Sequence, residues 1–346
     1  MALTRKRWWL IMAVLFAGTA AVAFLCTLFG SERVSWSAVS PAADFWAAAR
    51  GLALGRDGAI IFQLRLPRLL MAGVVGASLS VAGAGFQGLL RNPLADPYIL
   101  GVSGGGALGA IVAMWLGVGL LWGRVPAVPL FAFAGALITV MAVFRIARVN
   151  GRVPAHTLLL AGVVANAFLS AVIMFVISVA GVNMAYSMVS WMMGTVGYET
   201  YSMILGVTAY AAAGAFVLMG LGRDFNLLAL GEDAAAQTGV PVERVKGAAF
   251  FAASLVTGAV VSVSGLIGFV GLIVPHITRL IFGPDHRVVV PASIFVGAMF
   301  LMVCDTLARV VIAPSEIPVG VVTALCGGPF FIFLLRRRQG RGFAEG

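Results

Sequence analysis

The residues that could perform chemistry in this sequence are few, and two glycine motifs are the first candidates. Gly104–Gly109 fits the dinucleotide pattern G-x-G-x-x-G, and Gly101–Gly105 fits the nucleophile-elbow pattern G-x-S-x-G. The first pattern needs a strand before it in a βαβ unit, and the second needs a strand-to-helix turn with acid and histidine partners. Both motifs lie at the start of a long apolar segment in a chain with 43 glycines. We therefore interpret both as chance matches.

The remaining reactive side chains show no productive spacing. Neither lysine, Lys6 or Lys246, completes the G-K-[ST] of a phosphate-binding loop. The three histidines, His156, His276 and His286, show no metal-ligand spacing. The sequence thus predicts no catalytic residue, no metal site and no cofactor.

Composition places the chain in a membrane. Of its 346 residues 61% are hydrophobic and only 10% are charged, whereas soluble domains have about 25% charged residues. The net charge of +10 is therefore interpreted as a topology signal and not as a nucleic-acid-binding surface. The cysteines Cys26, Cys304 and Cys326 lie far apart in apolar runs, which predicts buried, inert thiols.

Ten apolar segments predict ten transmembrane helices, since about 20 residues cross the hydrocarbon core. They are Trp8–Phe29, Leu69–Leu90, Ile99–Leu121, Val125–Phe144, Thr157–Val179, Met203–Leu221, Ala248–Val263, Leu266–Ile281, Val288–Leu307 and Val319–Leu335. The first segment is longer than the apolar core of a signal peptide, so we predict a retained helix. With both termini cytoplasmic, sixteen of the 23 basic residues lie inside, as the positive-inside rule requires.

One of these segments is interrupted. The stretch Gly265–Arg287 is apolar but contains four glycines and two prolines, so it cannot form one simple helix. Non-helical backbone at membrane depth is tolerated only where protein or a water-filled cavity covers it. The stretch therefore indicates either a transport pathway or a kinked structural helix.

Three further patterns concern packing and partners. Gly101, Gly105 and Gly109 form a stripe that favours close helix contact. Asp305 and Arg309 are spaced for an ion pair on one helix. The inner segment Asp224–Lys246, divided by glycines and a proline into two short helices, is acidic. Because a helix lying on lipid would have a basic face, we expect this segment to dock on a soluble partner.

Several sequence blocks resemble one family. They are Arg65–Arg68 (RLPR), Arg91–Pro97 (RNPLADP), Leu230–Glu232 (LGE), Gly268–Leu272 (GFVGL), Pro275–His276, Asp285–Arg287 (DHR), Asp305, Ala308–Arg309 and Glu316–Gly320 (EIPVG). Together they are similar to the FecCD-type permeases of metal-chelate ABC importers, which carry iron-siderophores, haem or cobalamin.

The resemblance implies an all-α polytopic protein of the type II ABC importer permease fold, a single transmembrane domain over residues 1–346 with coupling helices at about 225–242. It implies a homodimer in a bacterial inner membrane, with a cytoplasmic ATPase dimer that hydrolyses ATP and a periplasmic binding protein that delivers the chelate. The permease itself is then not an enzyme, and it contacts lipid but no nucleic acid.

The resemblance also implies roles for particular residues. Arg65, Arg68 and Arg309 are expected to dock the binding protein, with headgroup anchoring as the alternative. The residues expected to couple to the ATPase are Leu227, Leu228, Leu230, Gly231, Glu232, Asp233, Ala235 and Gly239. The expected cytoplasmic gate comprises Asn92, Leu94, Ala155 and His156; the last two differ from the small hydroxyl residues common in the family.

Two other classes of function are open to a chain of this composition. A secondary transporter would use a relay of intramembrane acidic residues, and the apolar segments contain few acids. An intramembrane enzyme would need Ser, His or Asp side chains that converge at membrane depth, and Asp305 alone is weak support for one. A separate ATPase is therefore the preferred source of energy.

Overall fold

The computed structural model describes residues 4–30, 32, 34–35, 39–121 and 125–342, with side chains described as far as residue 332. Arg33, Trp36 and Arg124, which a chain with both termini cytoplasmic and ten crossings would have on its outer side, lie outside the described residues. The helices are α1 (Arg5–Leu28), α2 (Pro41–Ala49), α3 (Arg56–Ala59), α4 (Leu66–Leu90), α5 (Val102–Trp115), α6 (Ala127–Ala147), α7 (Ala155–Val179), α8 (Val182–Met192), α9 (Tyr201–Gly220), α10 (Gly222–Leu228), α11 (Glu232–Gln237), α12 (Val242–Ser264), α13 (Val270–Phe282), α14 (His286–Val310) and α15 (Val319–Gly342). A π-helical turn, Ile60–Arg65, joins α3 to α4. The short strands β1 (Leu120–Leu121) and β2 (Val125–Pro126) pair antiparallel.

The prediction of an all-α polytopic membrane protein is confirmed. Within the described residues seven helices are long and apolar enough to cross a membrane: α1, the continuous Arg56–Leu90, α6, α7, α9, α12 and α14. The helices α5 and α13 are shorter apolar helices, and so is Val319–Ile332, the part of α15 whose side chains are described. Each of the ten predicted segments thus contains a helix, and the count of ten full crossings stays a prediction.

Helix α4 lies at the centre of the bundle. In an apolar stretch of 18 residues within Arg56–Leu90, 83% of the residues are buried, whereas the corresponding share is 17% in α1 and 22% in α7. Gly76 of α4 lies against the carbonyl of Gly297 in α14, and Gly83 lies against Gly271 in α13. A side chain at either glycine would collide with backbone, so these close approaches require glycine. The chain therefore builds its core by backbone contact among α4, α13 and α14.

The glycine stripe on α5 packs as predicted. Gly105 lies against the Gly135 carbonyl and Thr139, and Gly109 lies against the Phe131 carbonyl of α6. Since lipid tails are as apolar as the side chains, close packing of this kind drives association of helices in a membrane. The glycine-rich motifs of this region are packing surfaces.

The interrupted stretch is not a single helix, which confirms the prediction. Helix α12 ends at Ser264, α13 begins at Val270, and the residues between them are not helical. The segment before α9 covers this backbone, since the amide of Thr195 donates to the Ser264 carbonyl at 2.8 Å. The irregular backbone is therefore shielded by protein, as a membrane interior requires.

Two features differ from the sequence interpretation. Helix α8 was not predicted; its apolar Met188 is fully buried beside Ile111 and Ile173, while Tyr186 is 73% exposed. Eleven residues are too short for a span, so a hydropathy criterion passes over them. The prediction of three buried thiols was wrong for Cys326, which is exposed, because its helix packs into the bundle on one side only.

The bundle has two polar ends. At one end the last turn of α1 meets the start of α4, where Arg65 Nη1 donates to the Thr27 carbonyl at 3.2 Å. At the other end the Trp8 indole of α1 donates to the Arg287 carbonyl of α14 at 3.0 Å. We name the first the arginine end, after Arg65, Arg68 and Arg309, and the second the coupling end, after α10 and α11.

Candidate functional site

Asp305 is the centre of the arginine end. Its side chain is fully buried and accepts from Arg68 Nε at 3.1 Å and from Arg309 Nε at 3.0 Å. The ion pair with Arg309 is the one that the spacing of four residues on α14 predicts. The pair with Arg68 joins α14 to α4. A carboxylate that is buried in this way must be paired, and here two guanidiniums balance it.

A second carboxylate closes the cluster from the surface. Glu316, in the loop before α15, accepts from Arg68 Nη1 at 2.7 Å, and its side chain is 43% exposed. The Tyr198 hydroxyl donates to the other oxygen of Glu316 at 3.2 Å. The Arg68 guanidinium also lies 5.1 Å from the centre of the Tyr198 ring, a cation–π contact.

Arg65 contributes a charge that is hydrogen-bonded to carbonyls, and the charge of the Glu32 carboxylate also acts on it. Its guanidinium donates to the backbone oxygens of Thr27 and Glu32, and no ion pair to it is found in the described part of the chain. The cluster therefore contains three guanidiniums and two carboxylates. It has a surplus of one positive charge.

The structure brings the three predicted docking arginines together, but it buries them. Arg65, Arg68 and Arg309 are 7%, 4% and 7% exposed. What reaches solvent is Glu316, to which sequence reasoning gave no role. Its place in the Glu316–Gly320 block, directly before an apolar helix, was the signal that could have found it.

The coupling end is organised around a buried lysine. Lys246 of α12, whose side chain is 3% exposed, donates to Glu232 at 2.7 Å and to Glu243 at 2.9 Å. Arg91 at the end of α4 lies 3.5 Å from the other oxygen of Glu232. Glu243 also accepts from the amide of Val153 at 2.9 Å. These bonds attach α11 to the bundle and leave each glutamate about one-third exposed.

The eight predicted coupling residues differ in their exposure to solvent. Leu228 and Ala235 are each 1% exposed and belong to the core of the subunit, whereas Leu230 is 73% exposed. The remaining five range from partly buried to exposed: Leu227, Gly231, Glu232, Asp233 and Gly239. The solvent-accessible part of this segment thus consists of one side of α11 and Leu230.

The predicted gate residues occupy two turns at the coupling end. Asn92 Oδ1 accepts from the amide of Leu94 at 2.9 Å, which makes a tight turn after α4. Ala155 begins α7 and packs against the core, while His156 is exposed. The segments that follow the two turns contact each other further into the bundle, where Gly162 of α7 lies against Leu100.

A cleft of about 610 Å³ opens at the coupling end between the turn after α4, the helix α10 and the segment that joins α13 to α14. Its polar lining residues include Gln87, Arg91, Asn226, Arg279 and Asp285. The Arg287 guanidinium hydrogen-bonds to Asp285 and lowers the pKa of that carboxyl to about 2, so Asp285 stays ionised at neutral pH. In the described residues no group of three or more His, Cys, Asp and Glu side chains could hold a metal.

Asp96 stands apart from these ion pairs. It is buried in the loop between α4 and α5, where Oδ1 accepts from the amide of Tyr98 at 2.8 Å. Burial raises the pKa of Asp96 to about 6. Among the described residues no cation lies within ion-pair distance of it. Only the hydrogen bond from the Tyr98 amide therefore opposes the rise of its pKa on burial.

An apolar helical bundle whose irregular backbone is shielded by protein, and whose described ion-pair clusters lie at its two ends, defines the class of polytopic membrane proteins. The match to a family description makes the class specific. The description of the FecCD transport family matches residues 18–337, and the chain belongs to that family.

Individual relatives agree with this assignment. The chain is 45% identical over 282 residues to the cobalamin import system permease protein BtuC of Halobacterium salinarum, covering 82% of this chain and 74% of that protein. It is 38% identical to the hemin transport system permease protein HmuU of Yersinia pestis, covering 81% and 84%. A solved structure described as an inward-facing metal-chelate type ABC transporter aligns with a TM-score of 0.80 and 28% identity, over 95% of this chain and 99% of that one.

Proposed function

We propose that this chain is the permease subunit of an ATP-driven importer that moves a metal chelate across a bacterial inner membrane. The observation that carries the proposal is the family match over residues 18–337. Relatives named for cobalamin and for hemin support a chelate of the iron-siderophore, haem or cobalamin class as cargo. On this proposal the permease forms a homodimer and hydrolyses no ATP itself.

The arginine end is the proposed docking site for the binding protein, and it then faces the periplasm. Its surplus positive charge attracts an acidic partner and steers the encounter. The many basic residues of the coupling end, among them Arg91, Arg145, Arg148, Arg223 and Arg244, support a cytoplasmic location for that end. Both termini are then cytoplasmic.

The coupling end is the proposed seat of the ATPase. Leu230 supplies an exposed apolar contact, and Asp233 supplies an exposed charge on α11. Because Glu232 links α11 to α12 and to α4 through Lys246 and Arg91, movement of α11 is transmitted to the turn at Asn92 and Leu94. We propose this turn and the start of α7 at Ala155 and His156 as the gate.

Reconstitution tests the proposal. The permease is placed in proteoliposomes with and without the ATPase of its transport system, and uptake of haem, cobalamin and a ferric hydroxamate is measured with the binding protein outside. We expect uptake of one chelate that requires ATP and the ATPase. The double variant Leu230→Asp, Asp233→Lys should abolish the stimulation of the ATPase by the permease. Asp57→Lys, at the opposite end of the bundle, serves as the charge-reversal control.

A secondary transporter is the alternative that the same assay separates. Uptake by the permease alone, abolished by an uncoupler while ATP remains, would contradict the proposal. If the Leu230→Asp, Asp233→Lys double variant retained ATP-driven uptake, this result would contradict only the assignment of the coupling surface.

A further inference from the structure

The arginine end contains one carboxylate that is fixed and one that can be replaced. Asp305 is fully buried and holds two guanidiniums. Glu316 forms an ion pair with one guanidinium, that of Arg68, and its side chain is 43% exposed. An incoming carboxylate can therefore reach the place of Glu316 without unfolding any element, whereas it cannot reach that of Asp305.

The geometry around Glu316 also defines what would take its place. One oxygen of Glu316 accepts from Arg68 Nη1 and the other from the Tyr198 hydroxyl. These two donors, with the face of the Tyr198 ring beside the guanidinium, form a site for a single carboxylate. A neutral or basic side chain would leave the buried guanidinium with one carboxylate only, a costly arrangement.

We infer that Glu316 is an intramolecular competitor that occupies the carboxylate site of Arg68, and that an acidic side chain of the docking partner displaces it. This inference rests on the proposed function, because the partner is the binding protein that docks at the arginine end. It explains why Arg68 is 4% exposed although its charge belongs to a docking surface. The affinity of docking is then set by how much more strongly the partner's carboxylate binds the Arg68 guanidinium than the Glu316 carboxylate does.

Removal of the competitor should strengthen binding of carboxylates. With Glu316 neutral, the cluster of Arg65, Arg68, Arg309 and Asp305 has a surplus of two positive charges, and the contact of Arg68 with the glutamate no longer has to be broken. At low ionic strength we expect affinity for an acidic ligand to rise about threefold to tenfold, and salt should reduce the gain.

The test uses the full-length permease in lipid nanodiscs and a fluorescein-labelled hexaglutamate peptide, followed by fluorescence anisotropy. Glu316→Gln is compared with wild type, and a hexaglutamine peptide shows binding that does not need carboxylates. Glu199→Gln is the matched control, because Glu199 lies in the loop of Tyr198 and makes no ion pair in the described residues. We expect the gain for Glu316→Gln only, and its loss when Arg68→Gln is added.

Three results would overturn the inference: equal affinity in Glu316→Gln and wild type, weaker affinity in Glu316→Gln, or the same gain in Glu199→Gln. If Glu316→Gln fails to fold, Glu316→Asp takes its place, since it keeps the charge but shortens the side chain, so that the competing carboxylate reaches Arg68 less well. That variant should bind the peptide about twofold more tightly, and an unchanged affinity would again overturn the inference.

Binding-protein affinity separates this inference from the proposed docking site. If the arginine end is not the docking site, neither Arg68→Gln nor Glu316→Gln changes the affinity of the permease for its binding protein. If docking occurs there without displacement of Glu316, Arg68→Gln weakens docking and Glu316→Gln fails to strengthen it. Displacement requires opposite effects of the two variants.

Discussion

The two ends of the bundle have inverse charge arrangements. At the arginine end a fully buried carboxylate, Asp305, is held by two guanidiniums whose side chains are 5% and 7% exposed. At the coupling end a buried ammonium, Lys246, is held by two carboxylates that are 31% and 36% exposed. One end thus has an anion at its centre and cations around it, and the other has the reverse.

The difference lies as much in solvent access as in sign. All the members of the Asp305 pairs are removed from water, so each depends on the others for its solvation. The carboxylates around Lys246 reach water on one side and can keep part of their hydration if the lysine is lost. The arginine end should therefore behave as a rigid unit and the coupling end as an adjustable one.

The largest expected effect follows from removal of the charge of Asp305. Asp305→Asn keeps the shape but leaves two buried guanidiniums without their common anion. We expect the free energy of unfolding to fall by about 3–5 kcal/mol, as is usual when one partner of a buried ion pair is removed. Denaturant titration of the purified protein in mixed micelles measures this change. A loss below about 1 kcal/mol, the range of exposed pairs, would contradict the rigid arrangement.

Asp96 extends the comparison to a buried carboxylate at the coupling end that has no cation. Its pKa is raised to about 6 by burial, so the folded state binds a proton that the unfolded state releases near pH 4. Stability should be greatest below pH 4, fall as the pH rises to about 6, and then stay level.

Asp96→Asn should remove that dependence and stabilise the protein above pH 6 by up to about 3 kcal/mol, the equivalent of a shift of about two pKa units. Thermal unfolding of both proteins between pH 4 and pH 8 measures the effect. Asp233→Asn, at an exposed carboxylate of the same end, is the control. Identical pH profiles for wild type and Asp96→Asn would contradict a buried, unpaired carboxylate.

The contrast between the ends was only partly readable from the sequence. The pair Asp305–Arg309 follows from a spacing of four residues on one helix, and the acidic segment with two short helices follows from its glycines and its proline. Arg68 and Asp305 are 237 residues apart, and their contact depends on how α4 crosses α14. Sequence patterns carry no information on such crossings.

Burial was the second quantity that the sequence left open. A charged residue beside an apolar segment is equally compatible with an exposed rim and with a buried cluster, and the family resemblance led us to expect Arg65 and Arg68 to face a partner. Similarly, Leu228 and Leu230 were both expected to couple to the ATPase, whereas Leu228 is buried and Leu230 is exposed. Helix positions relative to the bundle decide these cases.

Lys246→Met is expected to have a smaller effect than either buried carboxylate. Glu232 and Glu243 lose a cation, but each is about one-third exposed and gains water in its place. We expect a loss of about 1–2 kcal/mol in the free energy of unfolding. Because Lys246 attaches α11 to α12, hydrogen exchange across residues 232–237 should also become faster. A loss as large as that of Asp305→Asn would remove the distinction between the two ends.

The smallest effect is expected at the same end as the largest. Glu32 pairs with Arg56 at 3.3 Å, but the two side chains are 63% and 78% exposed. The bond of Glu32 to Arg65 comes from its backbone carbonyl and survives substitution of the side chain. Glu32→Gln should therefore change the free energy of unfolding by less than about 0.5 kcal/mol, because water screens an exposed pair. Since Glu32→Gln and Asp305→Asn each remove one negative charge from the arginine end, a large effect of Glu32→Gln would show that net charge, and not burial, decides stability there.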